Sequence, residues 1–325
     1  MNRLIFAVAA ALLIGWSGFW FMSSWTLKHD IAEWFDARRA EGWQADYTDL
    51  TVRGFPSRLD ATLTEVRLND PVRGVGWEAP FFQILGLTYR PGHLIFVWPD
   101  TQGLTLPSGP VAIDSTGLRA SVVHTSDGRI LRSNLEAEVL NIDGAQTTLA
   151  FAGLRAALTD VAGAPNLYRV GLTTEALAGP DVPMMPGTAR ADALQLQAEL
   201  TFDGAWTVDA LSGPRPQPQR IDLRQADYRF EGLELNLAGR VDADPQGRAT
   251  GKMTVRAVNW RDMLDRARDA GQLPSGLIDT LENALSLAAG FNGNANTLDL
   301  SLDFNEGRVS FGVIPLGMAP NLRIP

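Results

Sequence analysis

The chain contains no cysteine. That removes disulfides, thiolate nucleophiles and most structural zinc sites together. A chain of 325 residues builds an adequate core without cross-links, so an oxidising compartment stays open to it. Histidine is scarce too: His29, His93 and His124 stand in unrelated contexts with no metal-ligand spacing. No cluster of lysine and arginine occurs, and the formal net charge is −9 with a pI of about 4.9. Phosphate contacts need a concentrated basic face, so nucleic acid is not an expected partner.

Catalytic signatures are also missing. There is no Walker A loop, no Gly-x-Ser-x-Gly elbow and no His-Glu-x-x-His. Gly74-Val75-Gly76-Trp77-Glu78-Ala79 imitates a dinucleotide fingerprint, but no strand–helix unit surrounds it. The asparagine-rich Phe291–Asn296 segment lacks the acidic ladder of a calcium loop. Carboxylates are plentiful, yet they alternate with apolar positions, where a solvated outer face explains them better than a hydrolase pair. The expectation is a non-enzymatic chain with no catalytic residue, no cofactor and no metal.

What is present begins with an apolar segment. Leu4 to Leu27 carries no charge, and at 1.5 Å per residue it makes roughly 36 Å of helix, enough to cross a hydrocarbon core of about 30 Å. A cleaved signal would end on a small-x-small site. Here Ala7 to Ala11 lie inside the run, and its end carries Trp16, Phe19, Trp20, Phe21 and Trp25, which suit a membrane interface. Residues 1–27 are therefore expected to be an uncleaved single-pass signal anchor. Arg3 lies on one side and Lys28, Arg38 and Arg39 on the other, so the positive-inside count does not fix orientation. The signal-like layout favours a cytoplasmic N-terminus in a bacterial inner membrane, with the body periplasmic. Residues 28–43 follow as an amphipathic neck helix, with Ile31, Trp34, Phe35 and Arg38 at helical spacing.

From Tyr47 onward the period is two. Leu59-Ala61-Leu63 shifts phase to Val66-Leu68, as a bulge would cause. Further runs include Leu85-Leu87-Tyr89, Leu94-Phe96-Trp98, Leu194 to Phe202, Leu233-Leu235-Leu237, Met253-Val255-Ala257 and Leu298 to Phe304. Gln195, Glu199, Asn236, Arg256 and Asp299 fall between the apolar positions, which is the antiparallel pattern of one apolar and one wet face. Asp127-Gly128, Asp203-Gly204 and Glu306-Gly307 supply hairpin turns. Proline excludes 179–187 and 213–218 from central strands. A helical pair is expected near the C-terminus, one member after Asn259 and one after Pro274. The predicted fold is mainly β: an N-terminal transmembrane helix, then a large, curved, mostly antiparallel sheet over 44–325, either an open groove or a rolled sandwich. The first proline loop divides it into possible halves, 44–178 and 188–325.

Three stretches carry a resemblance: Thr51-Val-Arg-Gly-Phe-Pro-Ser-Arg-Leu-Asp60, Trp77-Glu-Ala-Pro-Phe-Phe82 and Leu87-Thr-Tyr-Arg-Pro91. They resemble an alphaproteobacterial membrane-anchored family known as a domain of unknown function, and Gly307–Gly312 and Pro315–Pro320 fit it too. The resemblance implies an anchor and a β body, and transfers no catalytic residue. More loosely, anchor and alternating strands are similar to the AsmA-like envelope proteins, whose curved sheets present an apolar concave face. About 280 residues of body are too few to bridge an envelope.

These readings lead to a periplasmic protein whose sheet holds an apolar ligand, such as lipid acyl chains, in cell-envelope maintenance. Leu196, Leu200, Leu235, Val255, Leu300 and Phe311 are the expected groove lining, chosen by strand phase. The alternative is a scaffold or partner-binding subunit of an envelope assembly, with other envelope proteins as partners. An envelope hydrolase with two convergent carboxylates stands third.

Overall fold

The computed structural model describes residues 2–144, 147–178, 193–211, 213–230, 232–269, 282, 285–286 and 296–324. The described strands make one large, mostly antiparallel sheet, preceded by a long apolar helix. The chain divides into two compact units. One includes Met1–Asp127 and Ser133–Ala150; the other includes Gly128–Arg132, Phe151–Ala178 and Gly187–Pro325. This division falls at Phe151, ahead of the proline-rich loop that suggested halves of 44–178 and 188–325. Residues 179–192 lie outside the described residues.

The expected anchor and neck are one helix. Helix α1 runs unbroken through 39 residues, Asn2–Ala40. Lys28, His29 and Asp30 do not interrupt it, because they project from its exposed side. By length and composition α1 can serve as a membrane anchor or as a signal sequence. Every described residue up to Trp16 is exposed. Beyond that, Ser17, Trp20, Ser24, Leu27, Ile31, Phe35 and Arg38 form a less exposed stripe at spacings of three and four, the face a helix lays against a sheet.

In the first unit that sheet is built on β3 (Arg58–Asp70) and β4 (Val75–Leu87). Strands β1 (Gln44–Asp46) and β2 (Asp49–Arg53) pair with the two halves of β3. On its far side β4 meets β5 (Arg90–Val97) with one half and β6 (Thr101–Leu106) with the other. Strand β8 (Arg119–His124) continues from β5, and β7 (Gly109–Thr116) continues from β6. The long β9 (Ile130–Gly144) pairs with β7, and contacts β8 through Arg119–Glu136 and Ser121–Asn134.

The phase shift in β3 is present, but no residue is inserted. Leu63 faces Phe82 and Val66 faces Ala79, so the register holds across it. Glu65 takes a left-handed φ of 50°, opposite Pro80, which has no N–H to give the ladder. The local flip keeps Leu63 and Val66 together, and both pack with Phe35 and Ala45. Trp77, Phe82, Phe96 and Trp98 extend this surface as a run of ring contacts.

The second unit is a meander. Strand β10 (Thr147–Asp160) pairs with β11 (Leu167–Thr173), followed by a short β12 (Ala176–Ala178). Then come β13 (Ala193–Phe202), β14 (Pro218–Phe230), β15 (Leu233–Ala243), β16 (Ala249–Val258), β17 (Thr297–Asn305), β18 (Arg308–Phe311) and β19 (Ile314–Met318). From β13 each is antiparallel to the next, and β11 pairs directly with β13. Between β16 and β17, helix α2 (Trp260–Asp269) is the first of the expected helical pair. Most of the second, over 274–288, lies outside the described residues.

Candidate functional site

Directly paired residues of an antiparallel ladder point to the same side, and so do residues two apart on one strand. This rule locates the expected lining. Leu196 pairs with Ala226 and Leu200 with Ile221; Ala226 pairs with Leu237, two residues from Leu235. Leu237 pairs with Val255, which pairs with Leu300. Leu302, two further on, pairs with Phe311. All six residues, from five strands, therefore lie on one face of the second unit.

A single irregularity makes this possible. Strand β14 carries one extra residue at Arg224–Gln225, opposite a continuous β13 and β15. The insertion moves its apolar phase from Ile221 and Leu223 to Ala226 and Tyr228, while the neighbours keep theirs. Without it, β14 would turn Gln225 and Asp227 into the apolar surface.

The face is closed at two places; Ala198, Leu223 and Val241 on it are buried as well, and several of its other positions stay half-buried. At one, α2 folds back so that Trp260, with no exposed surface, and Leu264 pack on Ala257 and Leu298. Leu235 and Leu300 lie against this cluster. Asn259, at φ 58°, reverses the chain into α2 and donates its side-chain amide to the Gly232 carbonyl at 2.6 Å. At the other place, Tyr168 and Phe202 meet edge to face, and Phe202 meets Trp206 likewise. Leu196, Leu200, Val255 and Phe311 are outside the Trp260 cluster and half-buried, although Val255 pairs directly with Leu300, which packs on that cluster.

Two glycines hold the neighbouring strands close. A Cβ on Gly239 would meet the Lys252 carbonyl oxygen, and one on Gly251 would meet that of Arg240. Their φ values, 152° and 151°, are ones that side chains disfavour.

The reverse face is a ladder of ions. Glu199 lies 3.0 Å from Arg224 and 3.8 Å from Arg169. Asp222 lies 3.0 Å from the Arg240 Nε, Asp242 2.6 Å from Arg220, and Asp303 3.1 Å from Lys252. The guanidinium of Arg220 is held above its ordinary pKa by its hydrogen bond to Asp242, and that of Arg224 by its bond to Glu199. At the β15–β16 turn, the backbone N–H groups of Arg248 and Gln246 and the Arg248 guanidinium hold the Asp244 carboxyl below its usual range. Among the described residues no group of three or more histidine or carboxylate side chains is placed to hold a metal ion.

Sequence reasoning named no site residue in the first unit. The aromatic run from Trp77 to Trp98 lies there, its Trp77 indole donating to the buried Gln102 amide oxygen at 2.9 Å. The available signal was strand phase, which reads β4 and β5 but does not show that β4 serves two partner strands.

The chain belongs to DUF2125. That family is described as an uncharacterised protein conserved in bacteria, and its profile matches residues 20–320. The DUF2125 match thus begins at Trp20, the first side chain of α1 to be buried, and takes in every strand described above. No curated protein and no solved structure matches the DUF2125 chain.

Proposed function

We propose that this DUF2125 chain is a non-enzymatic protein anchored by α1 in a bacterial inner membrane, with its body periplasmic, and that its apolar sheet face receives lipid acyl chains in cell-envelope maintenance. The observation that carries the reading is that Leu196, Leu200, Val255 and Phe311, on the second unit's apolar face, are only half-buried and retain accessible surface. Apolar side chains left accessible on one sheet face are the kind of surface that takes an apolar ligand. The charged ladder behind it keeps the other side in water. A long apolar helix supports a membrane as the source of ligand. The looser likeness to AsmA-like envelope proteins suits the same role.

The test is organic extraction of the purified full-length chain and mass spectrometry of what it holds. Stoichiometric lipid that is lost in a Val255→Asp, Phe311→Asp variant that stays folded supports acyl binding. A lipid-free, stably folded chain overturns it.

A second reading, a partner-binding subunit of an envelope assembly, is favoured by β19. All five of its residues are exposed, with Met318 at 70%. An exposed strand carrying apolar side chains is a template for another chain. Crosslinking from Leu316 to a defined envelope protein in the absence of bound lipid would favour this reading over the first.

A further inference from the structure

We infer that the β2–β3 and β4–β5 turns of the first unit form a foot that sits in the bilayer interface beside α1. The inference rests on the reading of α1 as a membrane anchor.

Length alone brings the sheet to the bilayer. Residues 3–15, the part of α1 clear of the sheet, make about 20 Å of helix, whereas a hydrocarbon core of about 30 Å needs about 20 residues. A span that starts after the charge of Arg3 must continue to about residue 22 or beyond. By then the helix has already met the sheet. The Trp16 indole donates to the Pro56 carbonyl at 2.8 Å, and the Trp20 indole to the Arg58 carbonyl at 2.7 Å. Phe55, next to Pro56, stacks on Phe21 at 6.0 Å and meets Trp20 edge to face at 5.5 Å. A bilayer that covers Phe21 and Met22 therefore also reaches the Phe55 turn.

The chemistry of that sheet end suits the interface too. Phe55 is 53% exposed, and Tyr89 is 60% exposed in the adjoining β4–β5 turn, tied to the first by the Thr88 N–H bonded to the Ser57 carbonyl at 3.0 Å. Arg53 and Arg90 flank them and are exposed. Aromatic rings with arginine beside them match the glycerol and headgroup level of a bilayer, where the ring enters the apolar edge and the guanidinium meets phosphate.

Helix and strand also run in the same direction. Trp20 of α1 touches β3 at Arg58, and Phe35 packs at Leu63 and Val66, so helix and strand climb together. The β3–β4 turn, with Val72 at 91% exposure, then lies about 40 Å along the strand from the foot and stands in water.

The chain has no native cysteine, so single-site spin labels report depth directly. Labels at Leu13, Met22, Phe55, Tyr89 and Val72 (each as the cysteine variant, for example Phe55→Cys) are compared in the full-length chain, reconstituted in vesicles of phosphatidylcholine and phosphatidylglycerol. The reading is relative accessibility to oxygen and to a water-soluble nickel chelate. Labels at Phe55 and Tyr89 should shift from the aqueous value at Val72 toward the value at Met22. Phe55 and Tyr89 labels as aqueous as Val72, with Leu13 in hydrocarbon, would overturn the foot and leave the anchor standing. An aqueous Leu13 label would overturn both.

Discussion

The hydroxyl of Tyr168, a side chain with no exposed surface, accepts the backbone N–H of Trp206 at 2.9 Å. This bond ties the loop after β13 to β11 and holds the ring contacts of Phe202 at that end of the apolar face. Tyr168→Phe keeps the ring and leaves the N–H unpaired. An unsatisfied buried donor costs about 1–3 kcal/mol, so a lowered urea midpoint at unchanged slope is expected. A slope that falls as well would mean that the loop opens before the sheet does.

The two parts of the apolar face should respond differently to substitution. Leu298 is 2% exposed beneath Trp260, and Leu298→Ala should cost about 2–5 kcal/mol in urea unfolding. Val255→Asp and Phe311→Asp alter half-buried positions, where the side chain keeps access to water; they should lower lipid retention with a much smaller loss of stability. Equal losses in all three variants would show the face to be ordinary core.

Gly239→Ala and Gly251→Ala each drive a methyl group into the backbone of the paired strand. Overpacking of this kind costs about 1–3 kcal/mol. Thermal unfolding of each variant should come earlier than that of Gly171→Ala, where open space receives the methyl group.

The lowered carboxyl of Asp244 gives a pH dependence of known sign. Its contribution is complete above the unfolded-state value and is lost as pH falls through the lower folded value. Asp244→Asn should therefore flatten the dependence of the urea midpoint on pH within that acid interval. The group is solvent-exposed, so the change will be small; an unaltered slope would count against the hydrogen-bond cage from Arg248 and Gln246.

The sheet was legible because alternation along each strand reports which side is wet. Phase alone was enough to choose Leu196, Leu200, Leu235, Val255, Leu300 and Phe311, and pairing puts them on one face. It could not report which of them a helix would cover, because the contact of Leu235 and Leu300 with Trp260 depends on where α2 returns to the sheet. The shift at Leu63 and Val66 was visible, but its cause was not: a bulge and a left-handed Glu65 opposite a proline leave the same trace in one strand. The unbroken α1 was missed because charges at Lys28 and Asp30 resemble a boundary, whereas the contacts from Trp16 and Trp20 to Pro56 and Arg58 join distant parts of the chain and have no period.

An uninterrupted α1 has a mechanical consequence. A hinge after residue 27 would let the body swivel while the helix before it stayed put, but a continuous helix clamped by two indoles to the β2–β3 turn and the start of β3 is a shaft without a joint. Hydrophobic mismatch tilts a spanning helix. With α1 in a bilayer, a change in membrane thickness would be delivered to the first unit as a lean of β3 and its aromatic surface, so bilayer and sheet would move as one lever.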